Sequence, residues 1–585
     1  MEQNTLNTPI DALLERLSAM ATMMEMLDEN QFKVRAMQAA VRSLEDANFE
    51  YLDLAAIAEV QGVGKGILGL IQEFAETGAM KDDVLLQEKV PASVLEMTQL
   101  RGLGAKKVRT LWQEVGVLSI DALSEAVNAG KIAQVKGFGA KTAANIAEAI
   151  QQYRSAKGQV HLHKAWAESE RLCGILSALP KVLHAETVGE AAQGAETVRL
   201  LSILVSVELP LPELSAQIQA LSEFANFTVI ENSAQTSPML TLQGLTENEL
   251  PCQLILCTPE NEGLVRHIAT SSAEYHAAFV KFLTEKSSES SITPDVWADE
   301  VRMYSEVGIQ IIPPELRINA RVWSNDDEVR KIGNRVQELV QAQQIRGMLH
   351  VHSTWSDGKH TIRQMAERAQ MLGYEYLAIC DHSKTAVYAG GLTEERVKAQ
   401  HEEIDRLNEE LRGIAGEGTH PFRILKGIES DILRDGSLDY SDAVLETFEV
   451  VVASVHSSFS LDRDTMTDRV CRALEHPATT LLGHPTGRLL LMRKGYELDM
   501  EAVLDTAKAH GKALEINASP YRLDLTAEHA ALAEAWGVPL AINTDAHNMD
   551  DLSNMRYGLQ VARRAGLQAL SVVNTLSCEE LLQRF

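Results

Sequence analysis

Three scarcities narrow the field before any motif is read. None of the six cysteines (Cys173, Cys252, Cys257, Cys380, Cys471, Cys578) stands in a CxxC pair, so neither a zinc ribbon nor a disulfide-stapled scaffold is expected. No apolar run approaches the roughly 18 residues of a membrane span, and the opening stretch MEQNTLNTPIDALLER carries neither the basic nor the apolar region of a signal peptide. Positive charge is also short. With 54 Lys and Arg against 82 Asp and Glu, the formal net charge is −28, which excludes coating nucleic acid by bulk attraction; any such contact must be local. The expectation is a cytoplasmic protein with no membrane contact. Its 585 residues should make several domains, at roughly 100–200 residues each.

What is abundant is uneven. Of 17 histidines, 12 lie in residues 346–585, and histidine excess without paired cysteine points to a metal site of nitrogen and oxygen ligands. Residues 101–160 hold nine Lys and Arg against four Asp and Glu, a basic island in an acidic chain.

Residues 1–155 read as helices, with apolar residues at three- and four-residue spacing. A short unit recurs there as VQGVGKG, LRGLGAKK and VKGFGAKT. Its glycines (Gly62 and Gly64, Gly102 and Gly104, Gly137 and Gly139) let a backbone approach a phosphate, and the helix that follows offers free N–H groups. Lys106, Lys107 and Lys141 stand beside the second and third copies. One such turn alone would read as a tight corner between packed helices; three with adjacent lysines read as a sequence-independent grip on a DNA backbone. Residues 156–325 mix short strands (TVRLLSILVSV, PCQLILC) with helices, TEKSSESSITPD at 284–295 reads as a polar loop, and WSNDDEVRKIGNRVQELVQAQQ reads as a connecting helix.

From residue 346 seven strand-like runs alternate with amphipathic helices: GMLHVH, YEYLAICDH, RILKGIESDI, VVVASVHS, TTLLGHP, KALEINA and LAINTDAH. That pattern favours a parallel barrel or a doubly wound sheet. The polar residues gather at the C-terminal ends of the runs, the face on which such barrels build active sites. His350, His352, Asp357, His382, Glu429, His456, His484, Asp545 and His547 all fall there. Any one of them alone would be unremarkable; nine together are too many for one ion and suit two or three bridged by a carboxylate. His360, His401, His420, His476, His510 and His529 lie among polar neighbours and are expected to face solvent.

LHVHSTWSDG, ICDHSK, GIESDIL, SVHSSF, GHPTGRLL, EINASPYRLDL and NTDAH resemble the PHP (polymerase and histidinol phosphatase) domain, in the variant attached to bacterial family X DNA polymerases. The resemblance implies a distorted (β/α)7 TIM-like barrel. It also implies that His350, His352, Glu429 and Asp545 hold one metal, Glu429, His456 and His484 a second, and Asp357, His382 and His547 a third. Mn²⁺ is favoured for turnover and Zn²⁺ allowed. Arg488 is the first candidate for a phosphate clamp, with Lys384 and Arg522 behind it. The glycine repeats resemble helix-hairpin-helix motifs in the order of the N-terminal and fingers regions of those polymerases, and VGIQIIPPELR resembles the end of their core.

The implied organisation is a helical N-terminal domain (1–90), a fingers-like hairpin pair (91–155), an α+β nucleotidyltransferase-like palm and thumb (156–320), a helical linker (321–345) and the PHP domain (346–585). One part departs from the family pattern. Aligned through Gly189, the expected serine is Glu190, the arginines are Ala192 and Gln193, and the paired aspartates are Leu200 and Ser202. Cys252 or Gln253 stands for the third aspartate, and TSSA at 270–273 for TGSK. Without carboxylates a palm cannot hold hard divalent ions beside a triphosphate. A lyase lysine would fall near Leu70, with Lys65 about a helical turn away. The expectation is therefore metal-dependent phosphodiester hydrolysis on gapped, nicked or 3′-ended DNA, mainly as a 3′→5′ exonuclease, with apurinic-site cleavage and 3′-phosphate removal beside it. The rivals are a phosphatase of small phosphomonoesters, a non-catalytic DNA-binding scaffold and an active gap-filling polymerase.

Overall fold

The computed structural model describes residues 10–47, 49, 51–230, 239–286, 298–414 and 421–585. Contacts divide the chain into two units, Met1–Lys157 and Gly158–Phe585. Among the described residues no helix is long and apolar enough to cross a membrane.

The first unit is built from helices around one apolar core that runs from Ile10 to Ile150. Its three glycine hairpins share one geometry. The first glycine of each has positive φ (Gly62 +101°, Gly102 +80°, Gly137 +88°), a conformation that side chains resist. The second glycine is the N-cap of a helix: Gly64 before α1 (Lys65–Thr77), Gly104 before α2 (Ala105–Val115) and Gly139 before α3 (Ala140–Ala156). No side chain caps these helix starts, so their first N–H groups stay open to a ligand. Leu103 and Phe138, each between two glycines, are buried and pin the turns to the core.

The second unit opens with α4 (Leu162–Ser177) and a five-stranded sheet. Its strands are β1 (Val182–Val188), β2 (Leu201–Val207), β3 (Thr228–Ile230), β4 (Met239–Leu245) and β5 (Pro251–Cys257), in spatial order β1-β2-β5-β4-β3. Only β2 and β5 run parallel. The run TVRLLSILVSV is not one strand: Thr197–Val198 pairs with Val160–His161, and the chain then turns into β2. Of the expected polar loop, Thr284 to Lys286 end a helix, and 287–295 lie outside the described residues. The connecting helix is Asp326–Glu338, capped by the Asn325 side chain. It docks on the barrel through Arg335, which donates to the Gly566 carbonyl at 2.8 Å and pairs with Glu534.

The barrel has seven parallel strands in sequential order: β6 (Gly347–Val351), β7 (Tyr376–Ile379), β8 (Arg423–Asp431), β9 (Val450–Ser454), β10 (Leu481–Leu482), β11 (Ala513–Asn517) and β12 (Leu540–Asn543). The ends of the first and last strands meet, with His352 N–H donating to the Ala546 carbonyl at 2.8 Å and Asp545 N–H to the His350 carbonyl at 3.1 Å. Leu349, Ala378, Leu425, Val452, Leu481, Ala513 and Ala541 fill one apolar cluster, whereas alternate residues such as Leu377, Ile424, Val451, Leu514 and Ile542 join the cluster under the helices. This period of two, carried upward along each strand, aims Cys380 and then His382, Glu429, Ser454 and then His456, Glu515, and Asn543 and then Asp545 toward one mouth.

Candidate metal centre

Glu429, 1% exposed, sits at the focus of that mouth. Its Oε1 lies 3.0 Å from His484 Nε2, 3.2 Å from His456 Nε2 and 3.5 Å from His350 Nε2; its Oε2 lies 2.9 Å from His382 Nδ1 and 3.6 Å from His352 Nε2. Asp545 Oδ1 is 3.1 Å from His352 Nε2 and 3.6 Å from His350 Nε2. Asp357 lies between His382, His352 and His547 at 3.4–3.9 Å. All nine expected ligands are thus brought together. The sets overlap more than the resemblance implied: His352 stands both with His350 and Glu429 and with Asp357, His382 and His547, and His382 also joins Glu429 and His456.

The donor set fits divalent ions. His350 Nε2, His352 Nδ1 and His484 Nδ1 are buried without a hydrogen-bond partner, and His382 Nδ1 and Glu429 Oε2, 2.9 Å apart, lack hydrogen-bond geometry, a costly state that a metal would relieve for the atoms facing the cage. His484 and Asp545 also hold positive φ, +25° and +52°, strain of the kind that gathers at functional sites. Electrostatics agree. Burial alone would raise the acids and lower the imidazoles, but facing charges outweigh it at most positions. Glu429 is held well below the carboxylate range by His456, His350 and His382, Asp545 well below by its histidines, and Asp357 at about 2. Against burial, Glu429 and Asp431 lift His456 to about 10, and Asp357 and Asp545 lift His547 to about 9. His352 goes the other way: burial and the neighbouring His547 and His382 hold it at about 3.

Three supporting carboxylates escaped the sequence reading. Glu515, fully buried, accepts from the His484 N–H at 2.7 Å, from Asn517 and from Asn543, and lies 2.8 Å from His350 Nδ1. Asp431 lies 3.1 Å from His456 Nδ1. Asp381 gathers Ser353, Ser356 and Gln400 behind the first strand loop. The signal for two of them was strand parity, since Glu515 and Asp431 lie two residues beyond inward positions.

The expected cations fare differently. Arg488 donates to both Glu196 oxygens at 2.9 and 2.6 Å, to the Arg522 carbonyl at 3.0 Å and to the Leu523 carbonyl, so it ties the barrel to the loop before β2. Arg522 Nε lies 3.7 Å from Asp545 Oδ2, which puts a guanidinium beside the cage. Lys384 is exposed, with its Nζ 5.1 Å over the Tyr440 ring. Of the histidines expected in solvent, His510 is exposed, but His360, His401, His476 and His529 are half-buried. The reason at His401 is packing: its ring lies edge-on to Phe448, and burial lowers it to about 4. His420 lies outside the described residues.

In the five-stranded sheet Ser202 pairs with Gln253 across β2 and β5, and Gln253 Nε2 donates to Ser202 Oγ at 2.8 Å. Gly189, at φ +66°, approaches so closely that a Cβ there would lie 2.8 Å from Ser202 Oγ. Gln253, not the core-buried Cys252, therefore occupies the place beside Ser202. Among the described residues, the groups of three or more side chains able to hold a metal all lie in the barrel. In the first unit Lys106, Lys107 and Lys141 are exposed, Lys107 Nζ donating to the Gly102 carbonyl at 2.8 Å; Lys65 begins α1, exposed, and Leu70 is half-buried.

The fold and the cage define a PHP-type barrel joined to a mixed sheet and a helix-hairpin-helix region. Family profiles match accordingly: a helix-hairpin-helix domain over residues 7–80, a SAM-like helix-hairpin-helix tandem over 94–152 and a PHP domain over 348–519. The chain is 33% identical over 578 residues to the DNA polymerase/3′-5′ exonuclease PolX of Bacillus subtilis (strain 168), covering 97% of this chain and 98% of that protein. It is 28% identical over 237 residues to a probable phosphatase of Thermoanaerobacter sp. (strain X514), covering 39% of this chain and 89% of that protein. A probable phosphatase of Syntrophotalea carbinolica is 27% identical over 236 residues, 39% of this chain and 90% of that protein. The chain belongs to the bacterial PolX family of family X DNA polymerases with a C-terminal PHP domain.

Proposed function

We propose that this PolX-family protein is a DNA-repair hydrolase whose barrel removes nucleotides from DNA 3′ ends and whose polymerase centre has fallen silent. One contrast carries the reading: the barrel brings nine candidate ligands together, five of them with a buried polar atom that makes no hydrogen bond, whereas the palm presents Leu200, Ser202 and Gln253. Divalent ions held in such a cage, Mn²⁺ favoured and Zn²⁺ allowed, would supply an activated water near neutral pH and positive charge against a phosphodiester. The chain's own groups do the rest. Glu429, Asp545 and Asp357 stay ionised and can ligate at neutral pH. Arg522 puts a positive charge beside the cage. Water adds to phosphorus as the 3′ oxygen of the preceding nucleotide leaves, so each turnover frees a 5′-mononucleotide. Cleavage at apurinic sites and removal of a 3′-terminal phosphate are further reactions of the same cage.

The three hairpins support binding of gapped, nicked or 3′-ended DNA without sequence preference, through open helix N–H groups and Lys106, Lys107 and Lys141. Such a protein works in the cytoplasm, on the nucleoid when bound to DNA. The test is a primer–template labelled at one end or the other and incubated with the protein and Mn²⁺. A 5′ label should appear on progressively shorter strands, and a 3′ label should be released at once as mononucleotide. The likeness to probable phosphatases favours a second reading, hydrolysis of small phosphomonoesters. Rapid turnover of such esters with intact primers would replace the first reading by the second.

A further inference from the structure

A cavity of about 330 Å³ opens beside Asp545 and His547. Two of its walls, Tyr521 and Arg522, come from the loop after β11. A third, His163, comes from α4, outside the barrel altogether. The His163 and Tyr521 rings lie 5.0 Å apart, edge to face, and His163 Nδ1 is buried without a partner. His161 also lies 5.0 Å from Tyr521, and its Nε2 is 3.2 Å from the Leu490 carbonyl.

The segment 191–196, where Trp166 of α4 donates to the Ala191 carbonyl at 3.0 Å, is fastened to the barrel. Arg488 grips Glu196, Arg564 donates to the Gln193 carbonyl at 3.0 Å, and a Cβ on Gly194 would strike the Gln560 side chain at 2.4 Å. The barrel face that bears the cage also carries exposed apolar side chains. Val387, Tyr388, Met492 and Tyr521 are 80%, 75%, 61% and 48% exposed, and all four stand on loops that follow strand C-termini. The Tyr388 ring lies 6.4 Å from His382, so a second aromatic borders the ligands.

Exposed rings beside a phosphate-handling centre suit unpaired bases, since every base has a face to stack and none needs to be read. A small phosphate ester would need cations but no such wall. We propose that this cavity seats the terminal nucleobase of a single-stranded DNA 3′ end, stacked on the wall of Tyr521 and His163. The segment leading into the mixed sheet thereby becomes part of the hydrolytic site, with Tyr521 and His163 as positioning residues. This rests on the exonuclease reading and adds how its substrate is held.

The test needs no turnover. Full-length protein in EDTA is titrated into a short oligo(dT) carrying 2-aminopurine at the 3′ terminus or four positions inward, and fluorescence quenching reports stacking at each place. The parent should quench the terminal probe more strongly than the inner one. Tyr521→Ala and His163→Ala should each lose most of the terminal quench and bind a four-residue oligo(dT) about fivefold or more weakly, while Tyr521→Phe keeps both. Equal quenching at the two positions, or variants that match the parent, would overturn the proposal. If the parent leaves the same strand intact in Mn²⁺ while terminal quenching still depends on Tyr521, the seat stands and the exonuclease reading falls.

Discussion

Loading the metal-stripped cage at neutral pH should eject about two protons. At pH 7 His456, at about 10, and His547, at about 9, are charged because Glu429 and Asp431 face the first and Asp357 and Asp545 the second. A ligating imidazole must be neutral at the ligating nitrogen, so these two alone release about two protons. His350 and His382 are also raised, by Glu515, Asp545 and Glu429 in the first case and Glu429 in the second, against the effect of burial, and this acts in the same direction. His352, already neutral, adds none. Two protons make the apparent association constant rise about a hundredfold per pH unit between the ordinary histidine value and about pH 9. The sign for stability is opposite. Folded values raised above 6.5 stabilise the metal-free protein fully below pH 6.5, and that contribution fades as pH climbs through 9 and 10, by up to about 1.4 kcal/mol per unit and per proton. Calorimetric titration of EDTA-stripped protein with MnCl₂ at pH 7, in two buffers of different protonation enthalpy, gives the proton count directly. Fewer than one proton released, or an affinity flat from pH 7 to 8, would refute this account of the cage.

Replacing Lys106, Lys107 and Lys141 by alanine should weaken binding to every DNA sequence alike and reduce the slope of log K against log salt by up to about one unit per lost phosphate contact; an unchanged slope in a filter-binding series would remove the hairpins from the interface. Arg488→Ala strips Glu196 of a bidentate partner and leaves two carbonyls unsatisfied, so denaturant unfolding should show a loss of about 1–3 kcal/mol, with metal content unchanged. Glu515→Ala frees the His484 N–H and the His350 ring and should cut metal affinity about 10–100-fold without removing a ligand, as measured by competition with a chelator.

The barrel was legible because its pattern is local. Alternating runs and helices announce parallel strands, and polar residues at their ends announce the mouth. The nine candidate ligands could be picked out because strand ends concentrate chemistry, and the fold brings them to one mouth. What sequence could not separate was partner from target. Arg488 follows a ligand in the chain, yet Glu196, almost three hundred positions away, holds it. Cys252 and Gln253 are adjacent, and only the register of β5 against β2 decides which faces Ser202. His401 sits among charged neighbours in sequence but packs on Phe448. His163 carries no local signal in the sequence, and only the tertiary fold brings it to the cavity beside Asp545.

The proposed function pairs one working metal centre with another that has lost its carboxylates. The most direct measurement compares the parent with His350→Ala on a 5′-labelled primer–template in Mn²⁺ with all four deoxynucleotides. His350 is fully buried and faces Glu429 and Asp545, so its loss should abolish shortening while circular dichroism shows the barrel intact. The parent should shorten the primer, and neither protein should lengthen it. Primers extended by His350→Ala, at a rate set by the templated nucleotide, would contradict the account.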